Sequence, residues 1–187
     1  MKTSKVKSSV KRKKGSSPFL WIGAFLAAII ILSFVPSIDF NPIGEKVPVM
    51  SDYSHVPVGS DPGPYNSDPP TSGRHYAEHF TSHFFDTNSY THPEGYLVHN
   101  LEHGYVIFWY NCDLLSEQQC TTLKSYIQDV MDQVNMYKVI AYPWSSIDVP
   151  VVMTSWGRML SMQQFDPELA LAFIDKYQEQ SPEPQGE

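Results

Sequence analysis

No aspartate or glutamate occurs before residue 39, and only six lysines or arginines occur after residue 38. The net formal charge of −7 therefore hides a sharp division. Seven Lys/Arg stand in the first 14 residues, and all 20 acids lie from Asp39 onward. So acidic a segment argues against nucleic acid as a partner, because binding phosphates needs basic surface. Acidity suits cations, and it equally suits plain solubility. Cysteine is scarce: Cys112 and Cys120 are the two in the chain. Their separation is far from C-x-x-C, which argues against a thiol oxidoreductase. Histidine is absent from the last 84 residues, so no downstream histidine can complete a site begun earlier. There is no internal repeat.

What is present begins with "PFLWIGAFLAAIIILSFV", Pro18 to Val35, which contains no charged residue. Phe19 to Val35 would make about 26 Å of helix, the short end of a bilayer span, and Pro36-Ser37-Ile38 can extend it. The run is longer than a signal-peptide core, and no clear A-x-A cleavage site follows it. The expectation is an uncleaved single-pass anchor, with the basic block held in the cytoplasm by the positive-inside rule. This divides the chain into a basic cytoplasmic tail over 1–17, a transmembrane anchor over 18–38 and a Pro-rich stalk over 39–54. An extracytoplasmic α/β domain over 55–180 and a disordered tail over 181–187 follow. The expected location is the cell membrane, and the expected partners are the bilayer and a membrane protein. Outside the cytoplasm a Cys112–Cys120 disulfide can persist, and it is favoured over two free thiols.

The element pattern is clearest in the C-terminal half. "GYLVH" reads as a short strand, and "GYVIFWYN", Gly104 to Asn111, as a buried central strand. Leu123, Ile127, Val130, Met131 and Val134 have amphipathic-helix spacing, with Ser116 and Gln119 as a capping box. "YKVIAY" and "PVVMTSW" read as strands. "DPELALAFIDKY" reads as a helix capped by Asp166, with Pro167 at its first position. The predicted order is strand-helix-strand-strand-helix. The expected fold class is therefore α/β, an N-terminal transmembrane helix plus one domain thioredoxin-like in its C-terminal half. Cys112 would sit at the strand-helix junction, and Pro150 before the last strand.

The functional signal is histidine. All seven lie between His55 and His103. His99, Glu102 and His103 form H-x-x-E-H, the inverted zinc-protease pattern. That chemistry needs both histidines on one helical face. Gly104 and the strand-like run after it suggest a turn instead, so a zinc hydrolase is a lesser alternative. The preferred reading keeps the metal without hydrolysis. His99 and His103, joined by His75 or His55, would hold copper or zinc, with Glu102 as ligand or as orienter of an imidazole. On this reading the protein is not an enzyme. A structural or interaction role, with the histidines pinning "PPTSGRH" to the central strand, is the alternative. His79, His83 and His92 read as surface or loop residues.

"PPTSGRH", "LVHNLEHGYV" and "TSWGRM…FD" together resemble the landmarks of a bacterial family of membrane-anchored extracytoplasmic domains of unknown function. The resemblance runs from about His55 to Tyr177. It implies that His55, Pro70, Ser72, Gly73, His75, His99, Glu102, His103, Gly104, Trp156 and Gly157 are the family's marked positions. It implies no activity.

Overall fold

Val106–Tyr110, Val139–Pro143 and Val151–Ser155 are built largely of β-branched and aromatic residues, and they form the middle of one mixed sheet. The computed structural model describes residues 42–186. Its strands are β1 (Glu45–Lys46), β2 (His83–Phe84), β3 (Val106–Tyr110), β4 (Val139–Pro143), β5 (Val151–Ser155) and β6 (Arg158–Met162). Its helices are α1 (Glu94–Glu102), α2 (Glu117–Gln133) and α3 (Pro167–Tyr177). The sheet order is β1-β6-β5-β3-β4-β2. β4 pairs parallel with both β3 and β2, whereas β5 pairs antiparallel with β3 and β6.

Strand alternation separates two cores. Val106, Phe108 and Tyr110 face α2 and α3, meeting Leu123, Ile127 and Phe173. Ile107 and Trp109 face the other way, meeting Leu97 and Leu101 of α1. Helix α2 starts at its capping box: Ser116 Oγ accepts from Gln119 N at 3.3 Å, and Gln119 Oε1 accepts from Ser116 N at 3.0 Å. Asp166 caps α3 by accepting from the Glu168 and Leu169 amides. A disulfide joins Cys112 to Cys120, with their Cα atoms 5.3 Å apart.

The expected fold class needs correction on several points. Among the described residues no helix is long and apolar enough to cross a membrane, and the expected anchor over 18–38 lies outside them. The thioredoxin-like strand-helix-strand-strand-helix half does not describe the sheet. Three strands, not two, separate α2 from α3, and the described residues form one mixed six-stranded sheet with three α-helices. The added strand, β6, has the sequence RMLSM and lacks the β-branched residues that mark a strand. Its antiparallel pairing with β5, tight across Gly157, supplies what propensity does not.

"GYLVH" is not a strand, and "HNLEHG" is not an isolated turn. The first lies within α1 and the second forms its last turn and C-terminal cap; the helix has Pro93 at its N-cap and Glu94 in its first turn. The helix ends in a Schellman motif: Gly104 N donates to Leu101 O and Tyr105 N to Asn100 O, each at 3.0 Å. Gly104 takes φ +82° there, and a Cβ on it would lie 2.7 Å from Glu179 Cα. Gly104→Ala should therefore cost at least about 1–2 kcal/mol from the left-handed backbone alone. Urea denaturation of the two proteins checks this, and an unchanged midpoint would show that the helix end is not held this way.

Candidate metal centre

Leu97 and Leu101 turn one side of α1 to the sheet. With about 100° between successive helical residues, His99, Glu102 and His103 turn to the opposite side. That side is covered too, by the loop layer before α1 and by the segment after α3. His99 and His103 are each 6 % exposed, Glu102 is 5 % exposed and His75 is fully buried.

The loop layer is held in place by main-chain bonds to α1. Tyr76 N donates to Gly95 O at 2.9 Å. The Tyr76 ring lies against Gly95, where a Cβ would come within 2.5 Å of Tyr76 Cε2. Asn100 uses both ends of its amide on one residue: Oδ1 accepts from Phe80 N at 3.0 Å, and Nδ2 donates to Phe80 O at 2.7 Å. This clamp sets His75 and His79 over the helix. His55 and His75 meet at a parallel bridge, where Val56 N donates to His75 O at 2.8 Å.

The other marked residues brace this layer from outside the histidine cluster. Pro70 is buried. Ser72 Oγ accepts from Met50 N, and Thr71 O accepts from Gly157 N, both at 3.0 Å. Trp156 packs edge-on against Tyr53. Gly73 takes φ +128°, and its carbonyl oxygen lies 2.9 Å from His75 Nδ1.

That contact is one of three alike. His75 Nδ1 meets Gly73 O at 2.9 Å, His99 Nδ1 meets Tyr76 O at 2.6 Å, and His103 Nδ1 meets Glu183 O at 3.1 Å. A carbonyl can only accept, so each Nδ1 carries the hydrogen and each neutral ring has its lone pair on Nε2. The tautomers follow from these partners. The Nε2 atoms of His99 and His103 are 2.6 Å apart. Two lone pairs at that distance repel unless a proton or a cation lies between them. His75 Nε2 stands 3.0 Å from Glu102 Oε2, yet it is buried with no hydrogen-bond partner among the described residues. The carboxylate is near but not placed along a hydrogen-bonding direction. Here too a cation is the group that both atoms attract.

Three groups of ligand atoms gather among the described residues; Asp61, His92 and Glu94 form one that shares no residue with the other two, which are histidine triads. The ligand atoms of His55, His75 and His99 all lie within 4.8 Å of one another, and so do those of His79, His99 and His103. The expected set is thus divided, with His99 common to both parts and Glu102 beside His75. His79 is the member that sequence reading passes over. Its ring centroid is 5.3 Å from that of His99 and 5.7 Å from that of His103. The available signal was its four-residue spacing from His75, but in an irregular loop that spacing carries no geometric meaning. His83 lies exposed on β2, and His92 pairs with Glu94 at 3.1 Å; neither joins these triads. Cys112 and Cys120 belong to the opposite side of the sheet, with α2.

Burial lowers the His99 pKa to about 4, against the bond to Tyr76 O that raises it; His103, His75 and His79 add to the lowering. His79 is lowered in the same direction, first by burial and then by His103. Both rings are thereby kept in the neutral form that ligates metals.

A mixed α/β domain with a five-histidine cluster, buried at His75, His99 and His103, is the class that fold and site define. The chain belongs to the family described as protein of unknown function, DUF3105, which matches residues 60–187. No curated protein and no solved structure matches the chain.

The lowered His99 pKa has a consequence for the metal-free protein. Between pH 6.5 and about 4 the unfolded chain binds a proton at this position and the folded chain does not. Stability is therefore lost as pH falls through that window. In the presence of a chelator, the urea midpoint should drop between pH 7 and pH 5, and by less in His99→Gln. Equal drops in the two proteins would mean that His99 is not held neutral.

Proposed function

We propose that this domain binds a single transition-metal ion, copper or zinc, in an accessory, non-catalytic role. The observation that supports it is the common tautomer of His75, His99 and His103. Each ring donates from Nδ1 to a main-chain carbonyl, which in the neutral ring leaves the lone pair on Nε2. Ligating imidazoles are oriented in this way by the group on their other nitrogen. Imidazoles with one carboxylate suit Zn(II) and Cu(II), with ligand distances of about 2.0–2.1 Å for zinc. Helix α1 does supply the frame that H-x-x-E-H requires in a zinc hydrolase. Glu102, however, lies against buried His75, not beside an open ligand position, and the non-catalytic reading is adopted.

We further propose that the domain is tethered to a membrane by residues 18–38, faces away from the cytoplasm and serves a membrane-protein partner. The charge division of the chain supports this orientation, and the Cys112–Cys120 bond fits an oxidising compartment.

The test uses the full chain in detergent, purified with a tag that contains no histidine. After growth with added copper and zinc, elemental analysis should find about one ion per chain. His99→Ala/His103→Ala should lose it while keeping the wild-type circular dichroism spectrum. Clearly sub-stoichiometric metal in the wild type under both supplements would sink the proposal.

A further inference from the structure

The two triads raise a question of number, and the chemistry of His99 answers it. Each triad needs a lone pair from His99. A neutral imidazole has one, and the bond from His99 Nδ1 to Tyr76 O at 2.6 Å assigns it to Nε2. Nε2 cannot serve two ions at once. Bridging through Nδ1 would require breaking a buried hydrogen bond and leaving the Tyr76 carbonyl unpaired, which is costly inside a protein.

We propose, resting on the metal-binding reading above, that the cluster holds one divalent ion at a time and offers it two alternative positions pivoted on His99. The first position is formed by His55, His75 and His99, with the Glu102 carboxylate beside it. It opens to solvent through His55, which is exposed, whereas His75 is fully buried. The second is formed by His79, His99 and His103. It lies under the segment that follows α3, where Glu183 O holds His103 and Glu183 N donates to Glu102 O at 3.1 Å. An ion moves from one position to the other by exchanging two imidazoles while His99 stays bound. No step leaves it without a protein ligand. The ring centroids of His55 and His79 each lie 5.3 Å from that of His99, and these two are the less buried members of their triads. Such a site receives a borderline divalent cation from one direction and can release it in another. This suits a cargo ion better than a permanently held structural one.

The experiment titrates the metal-free full chain with Cu(II) and follows it by electron paramagnetic resonance, with bound copper counted after equilibrium dialysis. The wild type should bind one ion and give two superposed signals. His55→Ala/His75→Ala and His79→Ala/His103→Ala should each still bind one ion and give one signal apiece, together accounting for the wild-type spectrum. His99→Ala should weaken binding by at least about 100-fold. Two tightly bound ions in the wild type would overturn the shared pivot. So would loss of all binding in either double variant while the wild type binds one ion, because that describes a single joint site; that the domain binds metal would survive both results, although two ions would revise its stoichiometry. No binding by the wild type would overturn both. Where a double variant does not fold, the wild-type spectrum decides: two signals support the pivot, and one overturns it.

Discussion

A helix covered on both sides leaves its polar side chains no water to turn to, so His99, Asn100, Glu102 and His103 of α1 and its cap must find partners within the protein. Most of the organisation on this side of the sheet follows from that demand. Asn100 meets it with the main chain of Phe80, which docks the loop bearing His79. His99 meets it with the Tyr76 carbonyl, which docks the loop bearing His75. His103 meets it with the Glu183 carbonyl, which draws the segment after α3 across the helix end. The same bonds that hold the layers together also choose the tautomer of each ring. Packing and ligand orientation are here one set of interactions.

The Nε2 atoms and the Glu102 carboxylate remain outside this settlement. They are buried, rich in lone pairs and close together, and positive charge is the complement they call for. A shared proton can relieve the pair His99 and His103, but burial works against protonating His99. A cation relieves it and meets the Glu102 charge as well. On the proposed metal-binding reading, stability and function pull in opposite directions at this site. A hydrophobic layer would bury the helix at less cost, and retaining five histidines here makes sense for a group that is bound.

Several elements were legible along the chain, though their assembly into one mixed six-stranded sheet was not. β3, α2, β4, β5 and α3 are long or strongly patterned, and their caps are local: Ser116 with Gln119, and Asp166 with Pro167. The signs for α1 were also local, with Pro93 before it and Gly104 after it. Gly104, however, reads equally as a turn residue, and "GYLVH" has strand-like residues and no clean apolar stripe. A helix buried on both sides loses the stripe, since its second side is covered by loops that tolerate polar residues bonded to main chain. β2, at the sheet edge, and β6, between β1 and β5, escaped because each is made by its neighbours more than by its own composition.

Patterning local to the chain was enough to single out His75, His99, Glu102 and His103 and to suggest a metal for them. Residue type and motif spacing carry that information, because imidazoles and carboxylates have few other uses in such density. It was not enough to say which rings meet. His79 and His75 lie in an irregular loop, where sequence distance bears no relation to direction, and Glu183 reaches His103 from 80 residues away. The division into two triads around His99 arises when the loop layer, α1 and the C-terminal segment close on one another. Only that packing brings together atoms that no local period connects.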